Sequence, residues 1–193
     1  GLTGGSTPYG NDYDRPIVII STLRINNIQI INNGEQIIGL AGSTLYGLEK
    51  KLEPFEREPH SVIGSTSIGA SIIGGVCNNS GGSLVQRGPA YTELALYAKV
   101  NQHGKLELIN DLEISLGSNP EEILTNLQKK NYKETDIKNS EKLGSDNKYK
   151  EIVRQIDSKT PARFNSDERL LYNSSGSAGK LVVFAVRLDT YPK

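Results

Sequence analysis

The sequence predicts an α+β domain with a mainly antiparallel sheet flanked by helices. Short apolar runs of strand length recur with turn signals between them. Two stretches carry helix start signals followed by an apolar stripe. Two glycine-dense segments, 1–8 and 64–83, interleave Gly with small hydroxyl and apolar residues, which is unlike a flexible linker.

The elements follow in chain order. Pro16-Ile17-Val18-Ile19-Ile20 has strand length, and proline is tolerated at a strand's first position. Residues Ile25 to Ile31 and Gln36 to Leu40 flank Asn32-Asn33-Gly34, and Asn-Gly between apolar runs signals a hairpin. Ser43 or Thr44 can cap a short helix with Leu45, Leu48 and Leu52 on one face, ended by Pro54. Leu94 to Val100 and Lys105 to Ile109 flank Asn101-Gln102-His103-Gly104 as a second hairpin. Asn119-Pro120-Glu121-Glu122 offers a cap, a proline at the first helical position and first-turn acids. Ile123, Leu124 and Leu127 then supply its apolar side. Tyr149, Ile152, Val153 and Ile156 follow helical spacing and predict a second amphipathic helix. Between these helices the lysine-rich stretch 129–148 has few apolar anchors and reads as a mobile, solvated excursion. Residues 179–188 read as a largely buried strand.

At 193 residues the chain fits one domain, or a domain with a small appendage. Net charge is zero, which argues against a broad electrostatic pull toward nucleic acid or anionic membrane. Cys77 is alone, so no internal disulfide forms. No run approaches the roughly 20 apolar residues of a membrane span, and no basic-then-apolar leader opens the chain. The sequence has no Met and opens inside a glycine-rich loop, which reads as a piece of a larger protein lacking residues on both sides.

Glycine lets main chain approach a ligand closely, and successive free N–H groups suit an anion such as a phosphate. Two such segments suggest one ligand held between them, against the plainer reading of structural turns. The opening segment has neither the G-x-x-x-x-G-K-[ST] spacing of a P-loop nor the dinucleotide fingerprint in a strand–turn–helix context. The kinase set of loop, lysine and catalytic aspartate is absent. Cys77, His60 and His103 are too few and wrongly spaced for a structural zinc, and Cys77 lacks the partners of a nucleophile. His60 could approach an active site in an intact protein, but reads rather as a satisfied structural histidine. Asn78-x-Ser80 and Asn173-x-Ser175 are glycosylation sequons by pattern only.

Longer blocks carry a specific resemblance. Gly1-Leu2-Thr3-Gly4-Gly5-Ser6-Thr7-Pro8 resembles the pyrophosphate loop of flavoproteins related to vanillyl-alcohol oxidase. Residues 11–15, 57–64, 77–93, 160–165 and 184–190 narrow the resemblance to one branch, the quinone-dependent, FAD-containing D-lactate dehydrogenases of the bacterial respiratory chain. The blocks span essentially the whole chain and are weakest over about 129–150.

That resemblance implies a fold, a cofactor and partners. The chain looks like the second part of a PCMH-type FAD-binding domain, residues 1–193 being partial, with the N-terminal lobe and cap domain missing. The intact family enzymes oxidise D-lactate to pyruvate on FAD and pass electrons to a quinone. They sit peripherally on the cytoplasmic face of the inner membrane, through regions absent here. Gly1, Gly4, Gly5 and Ser6 would supply donors to the FAD diphosphate. Gly64, Ser71 and Gly81 match cofactor-touching positions, Gly74 and Gly75 would allow close main-chain approach, and Val183 matches a backbone contact. No catalytic residue is assigned, because the family grips lactate largely from the cap side. The chain by itself is therefore expected to hold cofactor-binding chemistry without a complete active site. A related 2-hydroxy-acid dehydrogenase of the glycolate type, or a flavin-free inactive piece, are the alternatives.

Overall fold

The computed structural model describes residues 16, 20–60, 69–81, 86–139, 141–160, 168–170, 173–177 and 180–193. The expected 16–20 strand and the 160–165 block lie largely outside them. Both hairpins form. Strand β1 (Ile28–Ile31) pairs antiparallel with β2 (Gln36–Leu40), Ile31 facing Gln36. Their link is wider than a two-residue turn: Asn32, Asn33 and Gly34 all take positive φ, a conformation Asn and Gly tolerate best. Strand β4 (Ala95–Val100) pairs with β5 (Leu106–Asn110) through the turn ending at Gly104, φ +74°.

The last strand joins the two hairpins. β6 (Val182–Pro192) runs antiparallel between β2 and β4, giving the order β1-β2-β6-β4-β5. Its far end pairs with the short β3 (Arg57–Pro59). Alternation along the strands splits the core into two layers. Ile37, Ala95, Tyr97 and Val186 face one layer, while Ile38, Leu96 and Ala185 face the other. A bulge interrupts this pattern: Leu96 pairs with Ala185 but Tyr97 with Val183, so Phe184 is the extra residue. The bulge turns Val183 onto the same face as Val186.

Helix α1 (Leu45–Leu52) covers the first layer through Leu45, Leu48 and Leu52, all buried. Thr44 caps it by accepting from Gly47 N at 3.1 Å. Beside it lies α2 (Ile72–Cys77), which the glycine-rich reading did not foresee as a helix. Helix α3 (Pro120–Lys129) covers the second layer with Ile123 and Leu127. Its cap Asn119 accepts from Glu122 N at 3.0 Å, and Lys130, left-handed at φ +55°, stops it. Buried Gln29 ties α3 to β1, donating to Leu127 O at 2.6 Å and accepting from Tyr132.

Two expectations change. The helix expected through Ile156 is only the single turn α4 (Tyr149–Ile152), and Ile156 is 75% exposed. A short helix draws its stability from tertiary packing, and only Tyr149 of that stripe is buried. The 129–148 stretch carries anchors that its composition hid, because they are polar. Lys142 reaches Asp111 at 2.7 Å, Leu143 N donates to Glu93 at 2.8 Å and Ser145 Oγ to Asp189 at 2.6 Å. Lys138 N adds a 2.8 Å bond to Glu113 O, and Ile137 bridges to Ile114.

Candidate functional site

The N-termini of α1 and α2 are clamped together. Leu45 N donates to Ala70 O at 2.9 Å, Ile72 N donates to Ser43 O at 3.0 Å, and Thr44 bridges Ser71. Ser71 Oγ accepts from Gly74 N at 3.0 Å, capping α2. A Cβ on Gly74 would lie 2.6 Å from that hydroxyl, so Ser71 and Gly74 form one capping device. Gly75 differs. A Cβ there would meet Ala90 and Ser80 Cβ at 3.8 and 4.0 Å, ordinary contacts, so local packing does not demand glycine. At Gly69, left-handed at φ +97°, an added Cβ meets no heavy atom of the described residues within 4 Å.

The chain then folds back along α2. Ser80 N donates to Gly75 O at 2.9 Å and Asn78 Nδ2 to Gly74 O at 3.0 Å, leading to buried Gly81. Ala90 N bonds Ser80 O at 2.8 Å and fixes the exit. On the sheet below, Val183 packs into the cluster that includes Ile72, Ile73 and Val76. Ser71, Gly74, Gly75, Gly81 and Val183 thus gather around α2 and the start of β6. Gly1, Gly4, Gly5, Ser6 and Gly64 lie outside the described residues.

A further Ser/Gly-rich segment joins them, one that sequence reasoning noticed only as a sequon. Gly176 N donates to Val76 O at 3.0 Å, and Ser175 Oγ both donates to Thr92 O and accepts from Thr92 N at 3.0 Å. The signal was present: Asn173-Ser174-Ser175-Gly176-Ser177 has the composition of the two segments singled out. Cys77 lies beside it, its thiol pushed up by burial against a lowering hydrogen bond from Ser177. Among the described residues no three His, Cys, Asp or Glu side chains cluster as a metal site, and His103 sits in the exposed β4–β5 turn.

At the start of α2 the backbone donors are largely used within the protein. The amides of Ile72, Gly74 and Gly75 in α2's first turn are bonded to Ser43 O, Ser71 Oγ and Ser71 O, so they are not free to bind an anion. Gly69 and Gly75 meanwhile leave room where side chains would stand.

His60 borders the same stretch, just after β3. It is 5% exposed, and neither ring nitrogen meets a hydrogen-bond partner among the described residues. Burial, then the charge of Arg87, lowers its pKa to about 4, so the ring is neutral. Arg87 donates to Pro59 O at 3.0 Å, pairs with Glu58 and stacks on Tyr191 with 4.4 Å to the ring centre.

A separate polar cleft of about 720 Å³ opens between the second half of β6 and the 139–150 segment. Buried Arg187 lines it and donates twice to Gln36 Oε1, at 2.9 and 2.6 Å, while Gln36 donates to Asp189 at 2.7 Å. Burial lowers the Arg187 pKa, against the charges of Asp189 and Glu113. Of the described cofactor positions expected from sequence, Ser71, Gly74, Gly75, Gly81 and Val183, none lines this cleft.

No family model matches the chain. Three relatives do, each named quinone-dependent D-lactate dehydrogenase. The chain is 65% identical over 192 residues to that of Haemophilus influenzae, and 58% identical over 191 residues to that of Escherichia coli K12. It is 52% identical over 193 residues to that of Corynebacterium glutamicum. These matches cover 99–100% of the chain but 34% of each relative, so the chain spans about a third of their length. By sequence, then, the chain is a homologue of the quinone-dependent D-lactate dehydrogenases, corresponding along its whole length to one segment of theirs.

Proposed function

We propose that this chain is the FAD-binding portion of a longer polypeptide that oxidises D-lactate to pyruvate and passes the electrons to a quinone. The observation that carries this reading is the identity of 52–65% along the whole chain to three proteins of that name. FAD, when bound, supplies the hydride acceptor. The residues of this chain bind and orient it. Gly1, Gly4, Gly5 and Ser6 offer N–H and hydroxyl donors to the diphosphate, where obstruction by side chains is least. Gly64, Ser71, Gly74, Gly75 and Gly81 form a wall, with the Ser71 cap holding α2 in place. The bulge at Phe184 presents Val183 on the α2 side of the sheet, where its main chain lines the same wall.

The groups that grip lactate, take its hydroxyl proton and touch quinone lie outside these residues. Membrane contact is assigned there too; no described helix is long and apolar enough to cross a membrane. The fold would be the second lobe of a PCMH-type domain.

The test is a titration of FAD into the longer polypeptide and into this chain, followed by flavin fluorescence, with D-lactate-dependent quinone reduction assayed in parallel. The reading expects FAD binding and turnover by the longer polypeptide and no turnover by this chain alone. Turnover with glycolate and none with D-lactate would move the assignment to a related 2-hydroxy-acid dehydrogenase. A longer polypeptide that binds no FAD would refute it.

A further inference from the structure

We propose that the outer edge of β5 is a strand-docking site, filled in the longer polypeptide by an extended apolar segment that lies outside these 193 residues. The inference rests on the reading that this chain is part of a longer polypeptide, and it is independent of the FAD assignment.

Strand β5 ends the sheet order β1-β2-β6-β4-β5, as β1 does on the other side. In an antiparallel pair, opposite residues alternate between exchanging main-chain bonds and turning those groups away from each other. Asn101 N donates to Lys105 O and Asp111 N to Ala95 O, continuing the β4–β5 register at either end. Lys99 with Glu107 and Tyr97 with Ile109 fall in phase with them, so Leu106 and Leu108 send their N–H and C=O outward. Among the described residues no main-chain or side-chain group bonds those outward groups. The β1 edge is different. There the outward carbonyls of Ile28 and Ile30 accept from Lys51 Nζ at 2.8 Å and Lys130 Nζ at 3.4 Å. Lysines along an exposed edge block a further strand, and β5 lacks that guard.

The side chains agree. Leu106 is opposite Val100, Leu108 opposite Ala98, and Ala98 opposite Val182, so all five share the α3 side of the sheet. Leu106 is 74%, Val100 66% and Val182 50% exposed, while Leu108 packs in the same layer as Leu96 and Ile123. The second core layer thus runs out past the residues that α3 covers into a continuous apolar row, unlike singly scattered surface hydrophobes. The relatives supply the length to cover it. The chain matches 34% of each, so roughly two thirds of their length lies outside the matched stretch. An extended segment of that remainder would take main-chain bonds from Leu106 and Leu108. Apolar side chains at its alternate positions would pack against those two leucines and continue the row.

The test is hydrogen–deuterium exchange of the longer polypeptide at single-residue resolution. With the edge paired, the amides of Leu106 and Leu108 should exchange about a hundredfold slower than unprotected amides. Leu106→Lys puts a charge beside the added strand and should cut that protection about tenfold; Leu106→Ile should keep it. Unprotected Leu106 and Leu108 amides in the wild type would overturn the inference, as would protection that Leu106→Lys leaves unchanged. Protection that fades on dilution would assign the edge to a second copy and overturn it too. The flavin spectrum of the same samples separates the two readings. Freely exchanging amides in a protein that binds FAD and turns over D-lactate sink the docking site alone, and protected amides in a protein that binds no FAD sink the FAD reading alone.

Discussion

Gly75→Ala separates what the fold needs from what a ligand needs. Gly75 lies inside α2, where glycine costs roughly 0.5–1 kcal/mol relative to alanine. The new methyl would sit 3.8 Å from Ala90 Cβ and 4.0 Å from Ser80 Cβ, so no clash offsets the gain. Stability without ligand should therefore rise by about 0.5–1 kcal/mol. For a domain of this size that is an increase of roughly 1–4 °C in melting temperature. Gly74→Ala is the control: its methyl, 2.6 Å from Ser71 Oγ, displaces the cap. That loss, about 1 kcal/mol, cancels the helix-propensity gain or outweighs it. If the open side of Gly75 lies against FAD, the same Gly75→Ala change weakens FAD binding tenfold or more. Thermal melts followed by circular dichroism and titrations followed by flavin fluorescence read the two effects separately. A Gly75→Ala protein that melts below Gly74→Ala would refute the account of α2. Unchanged FAD affinity in Gly75→Ala would refute the wall.

Gly88→Ala should be severe. Gly88 is left-handed at φ +71°, and its new methyl would lie 2.5 Å from Cγ of buried Tyr149, a backbone-plus-overpacking penalty of about 2 kcal/mol or more. Urea melts check this, and a loss under 0.5 kcal/mol would contradict the Tyr149 packing. His60 should also make stability depend on pH. Its pKa is near 6.5 unfolded and about 4 folded, so between those values the unfolded chain binds more protons and stability falls as pH falls. That difference corresponds to about 3 kcal/mol lost by pH 4. Urea melts from pH 7 to 4 should show a slope that His60→Phe flattens; parallel slopes would contradict the buried neutral ring.

The elements legible in the sequence were those with local signals. Thr44 and Asn119 announced the starts of α1 and α3, and Asn33-Gly34 and Gly104 announced the hairpins. Helix α2 was hidden because Gly74 and Gly75 are poor helix formers; it is held by the Ser71 cap and the bridge to Thr44, which only the folded chain brings together. The same reason explains α4, whose stripe is periodic but finds a buried seat for Tyr149 alone. Residues 138–145 are fastened by Glu93, Asp111, Glu113 and Asp189, partners remote in sequence that composition cannot reveal. Insertion of β6 between the hairpins is likewise a long-range pairing, without any periodic signature. Of the candidate site, Ser71, Gly74, Gly75, Gly81 and Val183 were proposed from the family resemblance, and the structure gathers them around α2 and the start of β6. The 173–177 segment needed the tertiary contacts, since it packs on the end of α2; the sequence could name His60 but not that its buried ring nitrogens lack partners among the described residues.

The central claim is that this chain forms part of the flavin site of a D-lactate-oxidising enzyme. Its most direct test is the visible spectrum of the longer polypeptide, recorded without oxygen before and after D-lactate is added. The account predicts a flavin band that D-lactate bleaches and a quinone then restores. A colourless protein, or a flavin band that excess D-lactate leaves intact, would contradict it.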